Sequence, residues 1–331
     1  MRFFRPKEVR QDEESGKMLL SASLSKFLTV VALLLVLIGL FTYNIVDLHQ
    51  QLDSISANIN NENKLINKIN GNATPPQTGG PLANGLPLRI MFIGASITRG
   101  ERSEGGRGYR RHIRETLTSW GNPVNLVGFA RFGDWGDNDV EGYSAHPIRR
   151  VLPHALQAVP ALRPNLVLVQ VGTSDCFQND QPAFVLSRYR QLADAIIASA
   201  PETTVILSTL VTTPNATVEA CMLTANAQIR QVAADLIREN KRVALAEMHY
   251  GQGFPGRPLP QDIHADDKTH PTDEGYRLMG DIFLDKIREV AEKGFLERAV
   301  DNGIPDNGED GRDVEDRLIK QAQADHPVAN P

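Results

Sequence analysis

From Leu88 onward the sequence alternates short runs of Val, Ile and Leu with longer amphipathic stretches, and few folds accommodate that pattern. The apolar runs are LRIMFIG (88–94), VNLVG (124–128), NLVLVQVG (165–172), TTVILSTL (203–210) and RVALAEM (242–248). Helical spacing covers residues near 107–120, 149–159, 183–200, 218–240 and 272–294. Runs apolar on both sides of a strand need cover on both faces, and a strand that returns through a helix lies parallel to its predecessor. The pattern predicts an α/β domain over residues 87–298, with a roughly five-stranded parallel sheet between helical layers. In such sheets, chemistry sits beyond the carboxyl ends of the strands.

Residues 27–46, FLTVVALLLVLIGLFTYNIV, carry no charge. At 1.5 Å per residue, about 20 residues cross a hydrocarbon core of about 30 Å, so this stretch predicts one transmembrane helix. Its length and the lack of a small-residue cleavage site argue against a removable signal peptide. Arg2, Arg5, Lys7, Arg10, Lys17 and Lys26 precede it, and no Lys or Arg follows until Lys64. That bias places residues 1–26 in the cytoplasm and predicts a single-pass type II protein whose remaining chain is luminal or extracellular. Asn72 and Asn215 each open an Asn-Ala-Thr sequon, usable for glycosylation only on that side. Leu48, Leu52, Ile55, Ile59, Ile66 and Ile69 form a heptad seam within a stalk over 47–70, either a homo-oligomeric coiled coil or a solvated monomeric stalk. Residues 71–86 are Pro- and Gly-rich and read as a flexible linker, and residues 299–331 as an acidic, disordered tail.

A net charge of -5 gives no basic footprint for binding nucleic acid. Cys176 and Cys221 lack the paired spacing of a zinc or redox site. They are either a disulfide, closing a loop of about 45 residues in an oxidising compartment, or two buried thiols.

The first apolar run ends in GASITRG, which places Ser96 at a strand-to-helix turn where backbone N–H groups remain free. A serine there is either a nucleophile or a helix cap. The third run ends in GTSD, bringing Gly172, Thr173, Ser174 and Asp175 to the same rim. Near the carboxyl end, DDKTHPTDEG sets Asp267 three residues before His270, a spacing at which a turn can deliver a carboxylate to the imidazole. Asp266 is the one-residue alternative. His264 and His270 lack the HExxH spacing of a metal site, so no metal is expected.

Taken in order, GASIT with Ser96, Gly142 in NDVEGYSAH, GTSD, and DxxHP with Asp267 and His270 resemble the blocks of SGNH, or GDSL-type, hydrolases. The stretches RIMFIGASITRG, GGRGYRRHIRETL and DNDVEGYSAHPI look most like fungal carbohydrate acetylesterases. This resemblance implies the flavodoxin-like three-layer α/β/α sandwich of the SGNH hydrolases and a serine esterase that needs no cofactor. It makes Ser96 the nucleophile, His270 the base and Asp267 its orienter, with Ser96, Gly142 and Ser174 forming the oxyanion hole. The family pattern has asparagine where this chain has Ser174, and its GDS form has aspartate at the position of Ala95. The implied substrate is an acylated carbohydrate or small ester. Trp120, Trp135, Tyr143 and Tyr109 are candidates for stacking on sugar, and Asp134, Asp137, Asn138 and Asp139 for contacting its hydroxyls. The two departures keep open a protein that binds glycans without turning them over.

Overall fold

The computed structural model describes residues 80–308, 310 and 312–325. The expected transmembrane helix, stalk and Asn72 sequon lie outside these residues, as does all but the end of the expected linker. No helix among the described residues is long and apolar enough to cross a membrane.

Among the described residues, seven strands form one sheet: β1 (Leu88–Gly94), β2 (Val124–Val127), β3 (Ala130–Arg131), β4 (Asp139–Gly142), β5 (Leu166–Gln170), β6 (Thr204–Ser208) and β7 (Val243–Ala246). The predicted apolar runs form the parallel array β2-β1-β5-β6-β7, with Leu88 opposite Val124 and Gly94 opposite Gln170. The helices are α1 (Ser96–Arg99), α2 (Gly108–Ser119), α3 (Ile148–Leu162), α4 (Thr173–Phe177), α5 (Val185–Ser199), α6 (Ala216–Arg238), α7 (Asp273–Glu292) and α8 (Arg312–Asp325). Of these, α2, α3, α5, α6 and α7 fall within a few residues of the ranges expected from periodicity.

Successive side chains along a strand point to opposite faces, and the core divides accordingly. Met91, Ile93, Val167, Val169, Val205 and Leu207 pack with α3, α5 and α6. Leu88, Ile90, Phe92, Leu166, Leu168 and Ile206 pack with α2 and α7. Each fully buried aliphatic side chain contributes about 1.5–3 kcal/mol of transfer free energy.

The sheet differs from the five-strand expectation at one edge. β2 covers only the first half of β1, and the chain turns at Gly128, where a Cβ would lie 2.2 Å from the Val140 carbonyl carbon. β4 then runs parallel to the end of β1, pairing Gly94 with Gly142, and β3 lies antiparallel to β4, so the sheet is mixed. These additions are two and four residues long, and DVEG carries two carboxylates, so no apolar run announces them.

The tail is also ordered in its described part, against the expectation of disorder over 299–331. Val314, Leu318 and Ile319 of α8 pack on the α3 side of the core, and Ile304 is buried. Arg89 of β1 donates to the carbonyls of Val300 and Ile304, both at 3.1 Å. Asn125 of β2 donates to the Pro305 carbonyl (2.9 Å) and the Glu315 carboxylate (3.0 Å). Two of the tail's acidic residues pair with basic neighbours, Asp316 with Arg131 at 2.7 Å and Asp306 with Arg298 at 2.9 Å. Cys176 of α4 and Cys221 of α6 form a disulfide, with Cα atoms 5.6 Å apart.

Candidate active site

The turn after β1 depends on close backbone approach. A Cβ at Gly94 would sit 2.1 Å from both the Gln170 carbonyl and Thr98 Oγ1, so the strand can bend only with glycine there. Thr98 Oγ1 donates to the Gln170 carbonyl (2.8 Å) and accepts from Tyr109 Oη (3.0 Å), tying α1 to β5 and the core. Ser96 therefore begins α1 at the rim of the sheet, where the first N–H groups of the helix have no intrahelical partner.

The loop before α7 supplies the other two groups. Asp267 Oδ1 accepts the backbone N–H groups of Thr269 (2.9 Å) and His270 (3.1 Å), a turn that fixes the carboxylate over the ring. Its Oδ2 lies 2.8 Å from His270 Nδ1, and His270 Nε2 lies 2.8 Å from Ser96 Oγ. A carboxylate only accepts, so Nδ1 carries the proton and Nε2 accepts from the Ser96 hydroxyl. His264 N–H donates to the His270 carbonyl (2.9 Å), and the side chain of Thr272 caps α7, which pins both ends of the loop. Burial alone would raise the Asp267 pKa, but the N–H of Thr269 and the imidazole and N–H of His270 hold it below its ordinary value. Asp266 instead pairs with Arg102 at 2.5 Å, which settles the register of the DxxH motif. Arg102 Nε also lies 3.5 Å from Asp267 Oδ2.

Gly142 lies beside the turn that follows β1. It pairs with Gly94, and a Cβ added to it would sit 3.3 Å from the Ala95 carbonyl oxygen. Ser174 lies in the first turn of α4, directly beyond β5, the neighbour of β1. Asp175 has a structural role, accepting from the Ile148 N–H (2.9 Å) and Arg188 (3.1 Å). Among the described residues, no group of three or more His, Cys, Asp or Glu is arranged to hold a metal ion.

Most of the other expected contacts are engaged elsewhere. Tyr109 is fully buried in the core. Trp120 and Trp135 lie under the guanidinium groups of Arg288 and Arg110. Asp137 accepts from Arg114 (2.5 Å) and Asp139 from Arg131 (2.9 Å), while Asn138 donates to the Gly133 carbonyl (2.7 Å). These three residues hold the strand that carries Gly142. Tyr143 is half-buried, stacks on His154 with ring centroids 3.8 Å apart, and donates to Glu141 (2.7 Å). Asn215 Oδ1 caps α6 by accepting from the N–H groups of Thr217 and Val218.

One residue of the site was not anticipated. Glu101 Oε2 lies 4.0 Å from His270 Nε2. Its sequence signal is the pair Gly100-Glu101, since a left-handed glycine ends α1 and returns the next residue toward Ser96, with Glu101 N–H donating to the Ser96 carbonyl at 3.1 Å.

The profile of the GDSL-like lipase/acylhydrolase family matches residues 92–278. Among solved structures, a family 3 carbohydrate esterase from Clostridium thermocellum superposes with a TM-score of 0.54 at 20% identity, covering 62% of this chain and 98% of that one. A family 3 carbohydrate esterase from Talaromyces cellulolyticus gives a TM-score of 0.53 at 20% identity, covering 62% and 99% respectively. At that identity the likeness establishes a shared fold. No curated protein matches the sequence significantly.

Proposed function

The chain belongs to the GDSL-like lipase/acylhydrolase family of ester-hydrolysing enzymes, and from that premise we propose that it is a serine esterase removing acyl groups, principally O-acetyl, from carbohydrate. The observation that carries this reading is the hydrogen-bonded chain from Ser96 through His270 to Asp267. Ser96 Oγ attacks the ester carbonyl while its proton passes to His270 Nε2, and Asp267 stabilises the resulting imidazolium. The N–H groups of Ser96 and Gly142, with the Ser174 hydroxyl, hold the tetrahedral oxyanion. Collapse breaks the bond to the alcohol, which leaves with the proton from His270. Water then hydrolyses the acyl-enzyme by the same route, releasing the acid and regenerating the serine. Carbohydrate as the substrate class is supported by the sequence resemblance and by the activities of the structural neighbours.

The same reading makes the protein a single-pass type II membrane protein with this domain in the lumen or outside the cell. Its support is the uncharged stretch 27–46, the basic residues before it and the disulfide, since disulfides persist in oxidising compartments. Asn72 and Asn215 are its candidate glycosylation sites and residues 47–70 its candidate oligomerisation stalk. The test is acetate release from acetylated polysaccharide by a secreted 78–331 fragment. Release by wild type and none by Ser96→Ala supports the proposal, whereas a folded wild-type domain that binds polysaccharide but releases nothing overturns it in favour of a glycan-binding protein.

A further inference from the structure

Glu101 places a carboxylate at the reaction centre that the acyl-transfer chemistry does not use. The left-handed turn at Gly100 (φ 86°) carries the chain back over α1, and Tyr276 Oη donates to the Glu101 carbonyl at 2.7 Å, so the backbone is fixed. The side chain is fixed as well. Ser144 Oγ donates to Glu101 Oε1, Arg99 Nε lies 3.6 Å from the same oxygen, and Arg99 Nη1 donates to Ser144 Oγ at 3.0 Å. Oε2 accepts no hydrogen bond among the described residues and faces His270 Nε2 from 4.0 Å. The Glu101 side chain is 25% exposed, so the residue is not sealed off from substrate.

Nε2 is the atom that returns the proton to the leaving alcohol, and that oxygen must come within roughly 2.6–3.2 Å of it. A hydroxyl on the carbon next to the ester lies one hydrogen-bond length further out, within reach of Oε2. Resting on the esterase reading above, we infer that Glu101 is a specificity-determining residue. It accepts a hydrogen bond from the free hydroxyl adjacent to the scissile ester and selects mono-acylated vicinal diols, the motif of a partly acylated sugar ring. The fixed carboxylate also repels esters that carry an anion at that position.

The test uses the full chain and two esters that differ only by the hydroxyl, ethylene glycol monoacetate and ethyl acetate. Wild type is expected to favour the glycol ester in kcat/KM by roughly 10-fold, the scale of one charge-assisted hydrogen bond. In Glu101→Ala that preference should collapse toward unity, with Glu101→Gln between the two. A parallel loss on both esters would mean that Glu101 acts through His270 or the fold, and this would overturn the inference, as would an unchanged ratio. Ser96-dependent turnover with no hydroxyl preference refutes the Glu101 role alone. Absence of Ser96-dependent turnover of either ester refutes the esterase reading and this inference together.

Discussion

His270 Nδ1 lies 2.8 Å from Asp267 Oδ2, and the other oxygen of that carboxylate is held by backbone N–H groups of the same turn. Three residues of chain thus fix the tautomer of the imidazole as well as its position. Asp267→Asn keeps the size of the side chain, but an amide NH2 facing Nδ1 favours the tautomer protonated at Nε2. We expect kcat to fall on the order of 1,000- to 10,000-fold with little change in Tm. A loss below 10-fold would mean that another group orients the ring, and Arg102→Ala/Asp267→Asn double variants would show whether the neighbouring cation matters.

Ser174 stands where the family pattern has an amide donor. Loss of one oxyanion donor costs on the order of 100-fold or more. Ser174→Asn should therefore raise kcat on 4-nitrophenyl acetate by about 10-fold, because the longer amide donor reaches the oxyanion better than the shorter hydroxyl. An unchanged or lower rate would show that the turn after β5 has adapted to serine.

Three buried carboxylates give the domain an acid-leaning stability profile. Burial pushes Glu315, Asp137 and Glu141 up to about 7, against the opposing effect of their hydrogen bonds. A carboxyl whose pKa is higher folded than unfolded stabilises the fold below its unfolded value, and that contribution is lost as pH rises through the folded one. Tm should therefore fall between about pH 5 and pH 8. Glu315→Gln keeps an acceptor for Asn125 and should flatten that slope. An identical slope in the variant would mean that Glu315 does not titrate in this window.

The disulfide joins α4, which carries Ser174, to α6. Closing a loop of about 45 residues is worth about 4 kcal/mol in the chain-entropy model, or on the order of 10 °C in Tm for a domain of this size. Replacing Cys176 and Cys221 together by serine should produce a loss of that order in a thermal scan.

The five parallel strands, the helices α2, α3, α5, α6 and α7 and the spacing of Ser96, Asp267 and His270 were legible because each rests on local pattern: apolar runs, helical periodicity and a three-residue turn. The rest depends on partners distant in sequence. β4 exists because β2 leaves the end of β1 uncovered, and its own residues are Asp139, Val140, Glu141 and Gly142. The chain after residue 298 reads as an acidic tail until Arg89 meets Ile304 and until Asn125 and Arg131 meet Glu315 and Asp316 of α8. Asp137 and Asp139 look like a solvated turn in sequence, yet both are about 1% exposed and paired with arginines. Glu101 lies 169 positions before His270, and only the fold brings the two together.

The most direct measurement is kcat/KM for 4-nitrophenyl acetate with wild type and Ser96→Ala, both checked for equal Tm. The proposed mechanism predicts turnover by wild type and a loss of at least about 1,000-fold in the variant. Comparable activity in the two proteins would contradict the assignment of Ser96 and the mechanism built on it.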